Sequence, residues 1–441
     1  MHLTMMHMGI IIATLVCVIG IGIYSSRSVR SAAGYSVGGR SAGAPLVAGS
    51  IAGTVVGGGA TVGTAQLAYH FGLSAWWFTL GSGIAFIIMG LFYAKKMRGT
   101  GLETIPQFLA MHYGKKAEEL SSVISSIGIL FSAVASCLPG IEIVAEVFHV
   151  DAYTASALLI LLVAAYTFFG GMKSAGIGGM LKMGIIWVAL FIAGWEAFQA
   201  VHETAAWSQF PAAQFSLFGR GAEPALANLF SVLVGVLCTQ TYIQCIFSAD
   251  TPSTASAGCF WAAAIVIPVG LPSVAVGLYM QTLYPDIQPI MVLPTYLINE
   301  VHPLLGGLAM GGIILSLIGG IGGLTLGIGT MITRDMIVPL CRMTDDRKML
   351  TVNKLTVLFV MLLACFIAIL NRGSEVLFWT DISMALRGGG ISRRPFSALV
   401  SAVSLRFSPP QPPVAEIPSG AAGLSRPLRY TGRKRSAPPE R

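Results

Sequence analysis

The sequence predicts an all-α polytopic membrane protein, and three observations predict it. Only 10% of the 441 residues are charged while 54% are hydrophobic, with a mean hydropathy of +0.75. A soluble globular chain is about 25% charged. Ten apolar stretches each approach the roughly 20 residues that a hydrocarbon core requires of a helix. Basic residues then alternate between the connecting loops, crowding into every second one.

In chain order the apolar stretches lie near 8–24, 46–70, 75–94, 120–147, 153–170, 176–198, 228–247, 258–281, 304–332 and 353–371. An eleventh starts near Val376 and is not completed, so about ten complete transmembrane helices and a partial eleventh are expected. The first lacks a basic start and an A-x-A-like cleavage site, so it reads as a retained helix rather than a signal peptide. No charged residue occurs between Arg40 and Lys95, which covers the second and third spans.

The second span is too glycine-rich for an ordinary helix. Gly49, Gly53 and Gly57 recur every four residues, a stripe that lets another backbone approach. Gly57, Gly58 and Gly59 stand in a row, and each costs about 1 kcal/mol relative to Ala in a helix interior. The helix is therefore expected to open there. Opened backbone at membrane depth is tolerated where it is buried in protein or lines a cavity, and secondary transporters build solute sites from such breaks. A tightly packed, unbroken helix is the alternative. The seventh span interrupts its apolar run at Thr239, Gln240, Thr241 and Tyr242, near mid-depth. Polar side chains there need partners, which a facing break or a neighbouring helix would supply.

Orientation follows from the loops. With the N-terminus outside, the inner loops and helix ends hold fourteen Lys/Arg, from Arg27 to Lys354, and the outer loops hold Arg220 and Arg372. The expected location is a plasma membrane of bacterial inner-membrane type. The chain divides into a transmembrane unit, 1–386, and a basic Pro/Arg-rich tail, 387–441, which carries the whole +8 net charge. The tail's composition favours disorder over a packed core.

The composition also excludes. None of the seven cysteines forms a CxxC pair, and the histidines lack metal-ligand spacing, so no disulfide framework or zinc site is indicated. No GxSxG, HExxH, Walker or paired-carboxylate pattern is present, so no enzyme, cofactor or resident metal is expected. The expected partners are a small-molecule solute and the lipid bilayer, not nucleic acid, and no oligomeric state follows from the residues.

Seven stretches resemble the sodium–solute symporter family: YSVGGRSAGAP at 35–45, GGGATVGTAQLAYHFGLSAWWFTLG at 57–81, GLETIPQFLAMHYG at 101–114, TFFGGMKSAG at 167–176, QTYIQCIFSADTPSTASAG at 240–258, LPTYLINEVHPLLGGLAMGGIILS at 293–316 and TRDM at 333–336. The resemblance implies a LeuT-like bundle of two inverted five-helix repeats after one extra helix. It implies a secondary active transporter of amino acids, carboxylates, sugars or vitamins, working by alternating access. The second span becomes the first core helix and the seventh its inverted counterpart. The solute is then expected between Thr54, Gly57, Gly58, Gly59, Ala60 and Thr239, Gln240, Thr241, Tyr242, with Gln66 a further candidate. The competing reading has Thr239 and Gln240 bonding across a helix interface.

By the same resemblance a coupling sodium ion is held by carbonyls at Gly53, Val56 and Ser316 and by hydroxyls at positions that here are Gly319 and Gly320. Glycine offers no side-chain oxygen, and a hard cation needs roughly six oxygen ligands. Sodium coupling is therefore in question, with a proton as the other candidate. Lys182, in the sixth span, stands where the family usually has glutamine. A lysine in hydrocarbon is a functional-site hypothesis by default. Its ammonium either replaces the sodium, as a fixed or protonation-gated charge, or snorkels to the inner surface. Glu142 and Glu146, one turn apart near the outer end of the fourth span, read as a vestibule attractant or a solvated helix end. TDISMALRGGGI at 380–391 resembles the start of the family's next helix, yet SRRPFSALV follows. A frame change or truncation near residue 388 is one expectation. The second functional reading is accordingly a truncated non-transporting product or a membrane sensor module.

Overall fold

The structure, a computed structural model, describes residues 3–26, 31–167, 171–203 and 210–391. The tail beyond 391 lies outside the described residues. Among the described residues the chain is helical, with one isolated parallel bridge between Ala42 and Ala249. Six helices are long and apolar enough to cross a membrane, or seven if one bent pair counts as a single span. Shorter apolar helices at Met5–Val18, Ala44–Val55, Ala152–Thr167 and Pro289–Asn299 accompany them.

We number the principal helices in chain order. They are α1 (Met5–Ser26), α2 (Ala44–Val55), α3 (Thr64–Phe71), α4 (Trp77–Ile88), α5 (Lys115–Phe148), α6 (Ala152–Thr167) and α7 (Gly171–Glu203). Then follow α8 (Ala222–Leu237), α9 (Gln240–Phe247), α10 (Pro252–Leu283), α11 (Pro303–Met331), α12 (Asp346–Leu370) and α13 (Val376–Ile391). Local chemistry sets several boundaries. The Thr251 hydroxyl accepts the Thr254 amide 3.1 Å away and Pro252 opens α10. Asp345 caps α12 through the Arg347 amide at 2.9 Å.

Helix packing follows an inverted repeat. Take the first five core elements as α2 with α3, α4, α5, α6 and α7, and the second five as α8 with α9, α10, α11, α12 and α13. Most of the main packed pairs then have a counterpart five elements on. Thus α2 packs on α7 as α8 packs on α13, and α5 packs on α13 as α11 packs on α7. Likewise α5 meets α12 as α11 meets α6, while α4 on α10 and α5 on α11 map onto themselves. The centre is α5 and α11, and α1 lies outside against α7 and α11. The last helix sits where this pairing requires, its described part running from Val376 to Ile391.

The glycine stripe of the second span explains the α2–α7 crossing. A Cβ on Gly53 would stand 2.6 Å from the Gly179 Cα, and one on Gly49 would meet Gly176 and Met180. Two glycine faces meet here, which is what close helix approach in lipid requires.

The sequence reading placed Arg387 at the start of the basic tail, but α13 continues through it to Ile391. The helix carries on because Arg387 is enclosed and finds oxygen acceptors inside the bundle.

Candidate functional site

The first core helix does break. The α2 helix ends at Val55, and Val56 leaves helical geometry at φ −79, ψ 71. The chain resumes as a π-turn over Gly59–Gly63 before α3. The opening is centred on 56–58, slightly ahead of the glycine run, so Gly59 and Ala60 already belong to the π-turn. The break is enclosed. A Cβ on Gly58 would stand 3.0 Å from Pro139 and 3.1 Å from the Ala135 carbonyl, and Gly57 faces Gly320. Thr54 and Thr61 donate to their own helix, at Ser50 O (2.9 Å) and Gly57 O (3.0 Å).

The seventh span breaks too. Between α8 and α9 the axis bends by 42°, and Thr239 is extended at φ −88, ψ 114. Its hydroxyl donates to Gly235 O at 2.6 Å and gives no cap to α9. The amides of Gln240, Thr241 and Tyr242 thus open a helix without intrahelical acceptors. The Thr241 hydroxyl is buried without a partner against Gly327, and the Tyr242 ring meets Phe86 edge-on at 5.4 Å.

The two broken spans meet chiefly through α9 and α2. On the basic face they are clipped together: the Ala42 amide donates to Ser248 O and the Asp250 amide to Ala42 O, both at 3.0 Å. Arg98 donates to the carbonyls of Ala249 and Asp250 beside the clip. The Thr254 hydroxyl holds the Asp250 carboxyl below its ordinary value of 3.8.

Two glutamines of the proposed solute site are occupied elsewhere. The Gln240 Oε1 accepts the Ile105 amide at 2.8 Å and its Nε2 donates to Glu103 O at 2.9 Å. The Gln66 Oε1 accepts the Val376 amide at 3.1 Å, tying α3 to the start of α13. Both side chains therefore hold the frame around the breaks. Thr54, Gly57, Gly58 and Ala60 do border the first opening, and Thr239, Thr241 and Tyr242 the second.

The expected cation residues converge. Val56 O lies against Ser316, whose hydroxyl donates to it. Lys182 is 1% exposed, and its Nζ donates to Ser316 O at 3.1 Å and to Val56 O at 3.4 Å. A Cβ on Gly319 would stand 2.8 Å from that Nζ, and one on Gly53 3.5 Å from Cε. Gly320 faces Gly57 and Ser136 instead. A snorkelling side chain would reach water; this one turns inward.

Sequence reasoning missed a network at the basic face. Arg334 pairs with Glu103 through two bonds at 3.0 and 3.1 Å, and Ser36 donates to the same carboxylate at 2.9 Å. Asp335 is buried; its Oδ1 accepts from Thr104 (2.9 Å) and Gln107 (3.0 Å), while its Oδ2 has no partner. The signal was the TRDM stretch itself, used only as a landmark. Glu142 is tied to Arg372 at 2.7 Å.

These features agree with what the chain resembles. Residues 35–389 match the model of the sodium:solute symporter family. The chain belongs to that family. This sodium:solute symporter family member is 26% identical to the high affinity choline transporter 1 of Homo sapiens over 251 residues, 55% of this chain and 43% of that protein. It is 24% identical to the sodium/proline symporter of Staphylococcus aureus over 364 residues, 76% of this chain and 69% of that one. The chain thus spans about half the length of the choline transporters it matches. Among solved structures, a Na+-coupled sialic acid symporter, substrate-bound and outward-open, aligns with a TM-score of 0.75 at 16% identity, covering 89% of this chain and 87% of that one. A nucleobase-cation-symport-1 family transporter aligns at 0.56 with 10% identity, covering 81% and 77%. The fold is LeuT-like, and the chain is an integral membrane protein.

Proposed function

We propose that this chain is a secondary active transporter that moves a small solute across the membrane by alternating access, N-terminus outside. The solute lies between the openings at 54–60 and 239–242. Proline, choline and sialic acid, named for its relatives, mark the range of small polar solutes to test.

We further propose that Lys182 stands in for the coupling sodium ion. The observation that carries this is the ammonium's position, bonded to both Val56 O and Ser316 O, the carbonyls the family resemblance assigns to sodium. The residues that the resemblance assigns to sodium do not fit it: Gly319 and Gly320 bring no hydroxyls, and the Ser316 hydroxyl is spent on Val56 O. The lysine thereby fastens the opened first helix to α11 through α7. A charged hydrogen-bonding group at that junction does the tethering that a bound cation would do.

The test is uptake of radiolabelled proline, choline and sialic acid into proteoliposomes, in sodium and in potassium, between pH 5.5 and 8.5. The expected result is uptake of one of them that survives replacement of sodium. Lys182→Ala should lose roughly tenfold or more, the scale of one charged hydrogen bond. Strict sodium dependence in the wild type refutes the lysine's role, and no uptake in any condition refutes the transporter reading.

A further inference from the structure

Arg387 is among the largest fully buried side chains in the protein. Its Nε donates to Ser383 O at 3.1 Å, one terminal nitrogen to Thr239 Oγ1 at 2.5 Å, and the other to Ser132 Oγ at 3.0 Å. All three acceptors are neutral. The ionisable groups near it are Tyr242 and Cys238, and among the described residues no carboxylate pairs with it. A buried charge is retained at a cost unless something compensates it.

Its place is not arbitrary. Lys182 is the twelfth residue of α7 and Arg387 the twelfth of α13, the inverted-repeat counterpart of α7. Lys182 reaches the break after α2 and Ser316 on α11. Arg387 reaches the break after α8 and Ser132 on α5, and α5 is the counterpart of α11. Each opened helix thus has a built-in cation at an equivalent point. Beyond Thr239 the chain turns into α9, whose uncapped first amides present the positive end of a helix. A cavity of about 270 Å3, bordered by Met89, Ile105, Val234, Leu237, Cys238 and Ile243, lies beside the same turn, on a side that Arg387 does not itself line.

We propose that the solute carries a carboxylate and that Arg387, with the first amides of α9, recognises it. This rests on the reading that the solute lies at the two breaks, and it names the class: a small carboxylate or zwitterion with an apolar body, not a simple cation or a neutral sugar. Guanidinium is suited to this because its fork matches two carboxylate oxygens. The Thr239 and Ser132 hydroxyls hold the fork in place until the anion arrives.

The experiment uses the full chain in lipid nanodiscs, with glycine betaine against choline, L-proline against prolinol and acetate against acetamide. Each pair exchanges a carboxylate for an uncharged group. Calorimetric titration of wild type, Arg387→Lys and Arg387→Gln gives affinities, and melting without solute establishes that the variants are folded. The expected result is binding of the carboxylate member of at least one pair, tenfold or more tighter than its partner. Arg387→Gln should abolish that preference without weakening the member that lacks a carboxylate, while Arg387→Lys keeps part of it. Equal binding of both members by wild type, or carboxylate affinity that Arg387→Gln leaves intact, overturns the proposal alone. Absence of binding by every probe to folded wild type overturns it together with the solute-site reading.

Discussion

Gly53→Ala tests the junction on which the cation-site geometry stands. The added methyl would lie 2.6 Å from the Gly179 Cα and 3.5 Å from the Lys182 Cε. Carbon atoms pack best at about 3.5–4.0 Å, so α2 and α7 must part by roughly 1 Å. Such overpacking costs about 1–3 kcal/mol, partly offset by about 1 kcal/mol of helix propensity gained over glycine. The parting also stretches the Lys182 Nζ–Val56 O bond, already 3.4 Å. Gly184→Ala is the matched control: it lies on α7, and a Cβ there meets nothing within 4 Å. It should stabilise by up to about 1 kcal/mol. Thermal unfolding in nanodiscs gives both values. Gly53→Ala should melt below wild type and Gly184→Ala at or above it. If both melt higher by similar amounts, the α2–α7 contact is not as close as described here.

Other consequences are as direct. Arg334→Ala removes both bonds to Glu103 and should loosen the basic face; in a background lacking the exposed Cys17 and Cys341, buried Cys245 should alkylate several-fold faster, and an unchanged rate would count against that closure. Tyr69→Phe loses the hydroxyl bonded to Tyr284 O (2.8 Å) and Pro285 O (2.5 Å) and should cost about 1 kcal/mol in chemical denaturation. The Asp250 carboxyl is held below 3.8 in the folded chain, so its contribution is present above that pH and lost as pH falls through the lower folded value. Asp250→Asn should flatten the melting temperature between pH 5 and pH 3, and an unaltered slope would remove Asp250 from the account.

Much of this fold was legible because apolar runs and glycine rows are one-dimensional signals. Among the described residues the predicted spans fall on helices or on helices interrupted at a break, the fifth running on into 168–170 outside them, and both breaks fall within two residues of the stretches that announced them. Partners were not legible. Gln240 and Gln66 looked like solute ligands because a polar side chain in an apolar span needs acceptors, yet sequence does not say that Glu103, Ile105 and Val376 supply the bonds. For Lys182, depth along the helix favoured snorkelling to the inner surface; the side chain turns inward instead, where Gly53 and Gly319 leave room for it. Arg387 was grouped with the arginines that follow because composition changes there, although its neighbours Met384 and Ser383 are buried.

The central claim is that the Lys182 ammonium occupies the place of a coupling ion. The most direct test compares the thermal stability of the full chain in nanodiscs at rising sodium, against potassium at equal ionic strength. Saturable stabilisation by a ligand that binds only the folded state would appear as a sodium-specific rise. The account predicts superimposable sodium and potassium curves for the wild type; a sodium-specific, saturable rise in the wild type would contradict it.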